Sequence, residues 1–234
     1  MSEPMRQLVA ALPGVKCVLA DFDGPFCAVF AGLPADQVAV RLVERLSASG
    51  HKVHEGWRAE SDPFTLLHRI DREAPELVAA ADAILVELET EAARRARPNA
   101  DMAPMLDACA ESGRSVIVVS NNAGPAIDAY LEQQGLADRV DRVVGRAASD
   151  PSSMKPSPRL LLDAMGTTDP ATCVFIGDSV RDVEAGHAAG VPTIGYANKP
   201  GKDKKLSDAA AVVVVPSIAD ITEALRMTPV DASS

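Results

Sequence analysis

Two aspartates, Asp21 and Asp23, flank a phenylalanine in the stretch Val15-Lys16-Cys17-Val18-Leu19-Ala20-Asp21-Phe22-Asp23-Gly24-Pro25-Phe26. Carboxylates this close repel one another. A cation between them is the simplest relief, and a hard ion such as Mg²⁺ takes carboxylate and carbonyl oxygens. A solvated acidic turn relieves the repulsion as well, so the pair alone does not choose between the two. Groups later in the chain do. Ser120-Asn121 offers a hydroxyl and an amide, Lys155 before Pro156 a cation, and Asp178-Ser179 with Asp182 two more acids and a second hydroxyl. A carboxylate able to attack phosphorus, donors for phosphoryl oxygens, and a lysine and metal to offset charge are what phosphoryl transfer requires.

The elements that must position these groups are strands. Residues 17–20, 115–119 and 172–176 are short apolar runs bounded by turn signals, and each ends at one of the clusters. Helical patterns alternate with them: 101–112, 125–134, 158–165, 180–189 and 218–226, with further strands at 140–144, 193–196 and 211–215. Such alternation predicts a Rossmann-like α/β fold, a parallel sheet covered by helices on both faces. The polar strand ends then share one edge, where open α/β sheets bind ligands. A leading helix is expected over 3–12, and a frayed tail beyond Thr228.

Between the first and second strands the rhythm changes. Helices are expected over 35–49, from Pro63, and over 76–97, with no convincing strand. This predicts an inserted α-helical cap domain over 27–97, with 1–26 and 98–234 forming the core.

The 234 residues are 47% hydrophobic and carry a formal net charge of −10. A nucleic-acid backbone is repelled by such a surface, and no apolar run is long enough to span a bilayer. Arg94-Arg95-Ala96-Arg97 and Lys202-Asp203-Lys204-Lys205 read as solvated charges. Cys17, Cys27, Cys109 and Cys173 show no metal-ligand spacing. With no signal peptide evident, the expectation is a cytoplasmic protein with no nucleic-acid or membrane partner.

The chain resembles the haloacid dehalogenase-like hydrolase superfamily, in its phosphatase branch, and within it the phosphoglycolate phosphatase-like subgroup. The resemblance rests on Asp21-Phe22-Asp23-Gly24, Ser120-Asn121 after Val116-Ile117-Val118-Val119, Lys155-Pro156, and Gly177-Asp178-Ser179-Val180-Arg181-Asp182 followed by Ala185-Gly186-His187-Ala188-Ala189-Gly190. It implies Mg²⁺-dependent hydrolysis of a small-molecule phosphate ester. Asp21 would be the nucleophile, and Asp23 the acid that protonates the leaving alcohol and then activates water. Mg²⁺ would be held by the Asp21 carboxylate, the Asp23 carbonyl and Asp178. Ser120 and the Asn121 amide would bind phosphoryl oxygens, and Lys155 would neutralise charge. Ser179 and Asp182 would stand behind them, Asp182 orienting Lys155 or water on the metal. An acid at Asp23 suits an alcohol leaving group, which favours a phosphatase over a dehalogenase. Pro25 departs from the family's usual Thr and implies a stiffer turn into the cap.

Candidates to line the cap are His51, His54, Trp57, Arg58, His68 and Arg69; taken singly, each reads more readily otherwise, His51-Lys52-Val53-His54 as a solvated loop and Trp57 as an anchor of the cap's own core. Tyr196 and Asn198 follow a strand and could edge the site. His187 reads as structural. Other classes weighed are a phosphomutase of the same fold, whose cap signature is not recognised here, a receiver domain, which is half this length and lacks the second acid, and a non-catalytic phosphate-binding protein, against which the complete set of polar groups argues.

Overall fold

The computed structural model describes residues 1–230. Helix α1 (Glu3–Ala11) precedes strand β1 (Cys17–Ala20). Then come β2 (Cys27–Ala28), α2 (Ala35–Ala48), α3 (Pro63–Glu73), α4 (Val78–Arg94) and β3 (Arg97–Pro98). The remainder alternates: α5 (Met102–Glu111), β4 (Ser115–Val119), α6 (Gly124–Gln134), β5 (Arg142–Val144), α7 (Arg159–Met165), β6 (Cys173–Gly177), α8 (Val180–Ala189), β7 (Thr193–Tyr196), α9 (Lys202–Asp208), β8 (Val213–Val215) and α10 (Ile218–Met227).

Six strands form one parallel sheet in the order β5-β4-β1-β6-β7-β8. The chain leaves β1 toward β4 and β5, then returns to β6 on the other side. The carboxyl end of β1 is therefore the topological switch point, where the crossovers diverge and leave a crevice. Register puts Leu19 between Ile117 and Phe175.

The strands alternate between two apolar layers, as a period of two requires. Val18, Ala20, Val116, Val118, Val174 and Ile176 face α1, α5, α6 and α10, while Cys17, Leu19, Cys173 and Phe175 face α7 and α8. The first layer does not stop at the sheet. It runs on through Phe22 and Phe26 into Leu42, Leu66, Leu85 and Leu88 of the insertion. Helix α4 lies along α6, which joins insertion to core.

Three expectations need correction. The insertion does carry strand at its ends: β2 and β3 pair antiparallel through Cys27–Pro98 and Ala28–Arg97, so entry and exit form one ribbon. Only two residues per strand make that ribbon, too short for any periodicity to show. Helix α9 went unseen because its sequence is too polar for an apolar stripe, and Leu206 alone anchors it. The chain beyond Thr228 is not frayed at its start, since the Val230 amide donates to the Ser112 carbonyl at 3.2 Å and the buried Arg114 guanidinium holds the Thr228 carbonyl. The rest of that tail, 231–234, lies outside the described residues. Among the described residues no helix is long and apolar enough to cross a membrane.

Candidate active site

Each cluster sits where a strand ends. The Asp21 amide continues the ladder to the Ile176 carbonyl at 2.8 Å, and the Ser120 amide reaches the Val144 carbonyl at 3.0 Å. Beyond Asp21 the chain turns back on itself, the Gly24 amide donating to the Cys27 carbonyl at 2.7 Å and the Phe26 amide to the Phe22 carbonyl at 3.1 Å. Gly24 has φ +113°, and a Cβ there would lie 2.4 Å from Asp178 Cγ. Only glycine fits the conformation and the approach of the two acidic turns. Pro25 adds no donor but its carbonyl accepts from Asn99 Nδ2 at 2.9 Å, which ties the turn to the end of the insertion.

Lys155 joins the clusters. Its ammonium, 3% exposed, meets Asp21 Oδ1 at 2.8 Å and Asp182 Oδ1 at 2.6 Å, and donates to the Val119 carbonyl at 3.2 Å. It also lies 5.2 Å from the centre of the Phe175 ring. Asn121 brackets the Lys155 backbone from both sides, Oδ1 accepting from its amide at 2.7 Å and Nδ2 donating to its carbonyl at 3.1 Å. The Asn121 side chain therefore positions the lysine, a task separate from the backbone amide expected to face a phosphoryl group. Ser120 Oγ is turned toward Asn122, donating to its Oδ1 at 3.3 Å.

The other Asp182 oxygen is fully used. It accepts from the Asp178 amide at 3.1 Å, the Ser179 amide at 2.9 Å and Ser179 Oγ at 2.7 Å. With Ser179 it makes the capping box of α8. A Cβ on Gly177 would lie 2.3 Å from Asp182 Cβ, so the helix can only come this close to β6 over a glycine. Asp178 Oδ2 accepts from Asn198 Nδ2 at 2.8 Å and from the Lys202 ammonium.

Burial governs the charges. It pushes Asp21 up to about 7, against the pull of Lys155, and raises Asp23 as well, with the Val29 amide at 2.9 Å opposing. Burial works against the Lys155 charge too, but Asp182 and Asp21 more than offset it and hold its pKa above the ordinary value.

Whether a metal suits the place follows from the donors. One oxygen each of Asp21, Asp178 and Asp182 lie within 4.8 Å of one another. Asp21, Asp178 and Asp182 face Lys155 and Lys202, three carboxyl groups to two ammonium groups, which leaves negative charge in surplus when all three are ionised. Asp21 Oδ2 and Asp178 Oδ1 have no protein donor among the described residues, and Asn198 Oδ1 beside them is buried with no partner. An all-oxygen set with surplus negative charge fits a hard divalent cation.

The clusters line a cavity of about 470 Å³, together with Asp62 and Phe64 of the insertion and Arg181, Lys202 and Lys205 of the core. The six residues proposed from sequence to read substrate in the insertion are not among its lining. Trp57 is fully buried and donates to Glu73 Oε2 at 2.7 Å, and Arg69 is held by Glu73 and the Gly56 carbonyl. Tyr196 meets Asn99, away from the cavity, whereas Asn198 does reach Asp178. Lys202 and Lys205, read from sequence as solvated, face the cavity. Nothing in their spacing marks them, because α9 itself was not visible.

A second buried group ties the insertion to this site. Arg146, in the loop after β5, is 1% exposed at its side chain and meets Asp82 at 2.8 Å and Glu89 at 2.9 Å, both on α4. The same guanidinium donates to the Asn121 carbonyl at 2.8 Å, and Glu89 accepts from Asn122 Nδ2 at 2.9 Å. The loop carrying Ser120 and Asn121 is thus clamped from α4.

A parallel α/β sheet with an inserted helical cap, and acids and a lysine gathered at its switch point, defines a class of α/β enzyme. The chain belongs to the haloacid dehalogenase-like hydrolase family, which matches residues 15–190. A phosphoglycolate phosphatase of Salmonella paratyphi A is 33% identical over 131 residues, 54% of this chain and 50% of that one. One from Rhodospirillum rubrum is 36% identical over 101 residues, 41% and 42% of the two chains. The match thus spans about half the length of these curated relatives. In structure, a predicted phosphatase from Clostridium acetobutylicum aligns with TM-score 0.67 at 17% identity, over 89% of this chain and 97% of that one. CbbY from Rhodobacter sphaeroides, solved in complex with phosphate, aligns with TM-score 0.62 at 17% identity, over 88% and 95%.

Proposed function

We propose that this chain is a Mg²⁺-dependent phosphatase that hydrolyses a small phosphate monoester through an aspartyl-phosphate on Asp21. The observation that carries the reading is the state of Asp21. It is buried at the cavity floor, one oxygen held by Lys155 and by the Phe22 amide at 2.8 Å, the other without a protein donor. A carboxylate aimed and partly neutralised in this way is a nucleophile in waiting.

Asp21 Oδ2 attacks phosphorus and the bond to the ester oxygen breaks. Asp23 gives its proton to that oxygen, releasing an alcohol. Burial suits Asp23 to carry a proton, and the Val29 amide fixes one of its oxygens. In the second half Asp23 takes a proton from water, whose oxygen attacks phosphorus, and the Asp21 carboxylate leaves. The Ser120 hydroxyl and the Asn121 amide hold phosphoryl oxygens, and Lys155 offsets their charge. Asp182 and Ser179 hold Lys155 and Asp178 in place. The residues that would hold Mg²⁺ are Asp21, Asp23 through its carbonyl, and Asp178. When bound, the ion offsets charge on the nucleophile and the phosphoryl group.

Residues 27–97 act as the cap over a core of 1–26 and 98–234, keeping bulk water from the site while substrate is bound. The curated relatives' name, phosphoglycolate phosphatase, and the phosphate held by a structural neighbour support the reading. A cytoplasmic setting accords with four buried free cysteines.

The test is phosphate release from p-nitrophenyl phosphate, with Mg²⁺ and with EDTA. The native chain is expected to turn over only with metal, and Asp21→Asn to lose at least about a thousandfold in kcat. Appreciable turnover by clean Asp21→Asn protein would overturn the nucleophile.

A further inference from the structure

Four cysteines are buried and free, and the proposed reaction uses none of them. Burial pushes the Cys27 and Cys109 thiols up, Cys109 to about 12, so both stay protonated and unreactive. Cys17 and Cys173 differ in standing as a pair. Strands β1 and β6, at the centre of the sheet, run parallel with Cys17 directly opposite Cys173, and both side chains join the apolar layer under α7 and α8. Neighbouring strands lie about 4.8 Å apart, inside the span of roughly 4.4–6.8 Å between α-carbons over which a disulfide closes.

The pair is not symmetric. On its other side Cys17 faces Ser115 of β4. All three residues open their strands, so the row lies at the amino edge of the sheet, opposite the cavity. Ser115 is half-buried, and Cys17 beside it keeps 5% of its surface exposed where Cys173 keeps none. The Cys17 thiol is drawn down to about 7, first by the hydrogen bond with Cys173, against burial, and then by Ser115. Cys173 moves the other way, held up by that same bond and by burial, and its thiol also reaches the Asp169 carbonyl at 3.6 Å. One sulfur thus has thiolate character and a path to solvent, and a protonated thiol stands behind it. A cysteine that attacks peroxide and the cysteine that resolves it need those two states.

We propose that Cys17 and Cys173 form a redox site, a dithiol that a hydroperoxide closes reversibly to a disulfide across the two central strands. The Cys17 thiolate attacks the terminal oxygen of the hydroperoxide and the O–O bond breaks. The leaving oxygen takes up the proton that Cys17 gave to solvent, and departs as water or an alcohol. Cys17 then carries a sulfenic acid. The Cys173 sulfur attacks the Cys17 sulfur, the S–O bond breaks, and hydroxide departs with the Cys173 proton as water. The two thiols together lose two electrons and the hydroperoxide gains them. Neither sulfur lines the cavity, so the site stands apart from the phosphatase reading.

The test exposes reduced native protein, freed of reductant, to hydrogen peroxide at neutral pH and counts thiols after alkylation in urea. The count is expected to fall from four to two, with a mass loss of two hydrogens. Peptide mapping without reductant is expected to join the Cys17 peptide to the Cys173 peptide, and dithiothreitol to restore all four thiols. In Cys173→Ala, dimedone is expected to label Cys17 as the trapped sulfenic acid. In Cys17→Ala, Cys173 is expected to stay unlabelled. Circular dichroism checks the fold of both variants, and the mapping of native protein decides the linkage without them. Four thiols retained by native protein, or a disulfide through Cys27 or Cys109, overturns the site. So does Cys17 carried on to a sulfinic acid with Cys173 still free, or a linkage that forms only when peroxide is added in urea. Equal labelling of Cys173 in Cys17→Ala overturns the order of attack.

Discussion

At the scale of the residue, this protein separates groups that announce themselves from groups that do not. Asp21, Asp23, Ser120, Lys155, Asp178 and Asp182 are legible because each stands at a fixed offset from a strand end or a proline. Trp57 is the opposite case. It is the chain's single tryptophan, belongs to no motif, and is read from sequence as a core anchor ahead of a ligand reader only on general grounds. It anchors: the ring is fully buried, and its Nε1 donates to Glu73, whose pKa is lowered first by that bond and then by Arg69. A carboxyl whose folded pKa is depressed stabilises the fold above its unfolded value. That contribution is lost as pH falls through the folded one. Trp57 emission is therefore expected to titrate with a midpoint below the ordinary glutamate value of about 4.3. Glu73→Gln should remove the transition. A midpoint at or above the ordinary value would count against the bond.

At the scale of the element, α4 is the instructive one. It is apolar enough to read as a buried helix, yet it buries Asp82 and Glu89. The two lie seven residues apart, two turns along one face, and both meet Arg146. Removing the guanidinium leaves two buried carboxylates without their counter-ion, a loss of about 3–5 kcal/mol. Arg146→Met is expected to show that loss in urea denaturation. Arg41→Met, which breaks the half-exposed pair with Glu91, should cost less than about 1 kcal/mol. Equal losses would mean that the buried group does not brace the loop carrying Ser120 and Asn121 against α4. The sequence offers no route to this contact, because Arg146 and Glu89 are 57 residues apart and belong to different layers.

At the scale of the whole molecule, the insertion and the core share one apolar cluster. Leu42, Leu66 and Leu88 are continuous with Phe22, Phe26 and Val18, and Tyr130 of α6 donates to the Phe26 carbonyl at 3.0 Å. A segment folded as a domain of its own predicts two thermal transitions. A continuous core braced by Arg146 predicts one. Differential scanning calorimetry is expected to give a single cooperative transition, with calorimetric and van't Hoff enthalpies equal. Two resolved transitions would support an insertion that folds as a domain of its own.

What the sequence by itself determined is local and periodic. Alternating strands and helices specify a parallel sheet, turn residues specify where its strands end, and the polar groups at those ends specify a site at one edge. The limits of β4, β7 and α8 are readable to the residue because hydrophobic period and capping agree there. Tertiary structure alone decided which distant cations converge. Lys202 reaches Asp178, and Arg181 and Lys205 line the same cavity, only because α8 and α9 follow β6 and β7, whose carboxyl ends share one sheet edge with that of β1. Charged side chains carry no periodic signature, and their energy depends on burial and partners. Both exist only once the chain has folded.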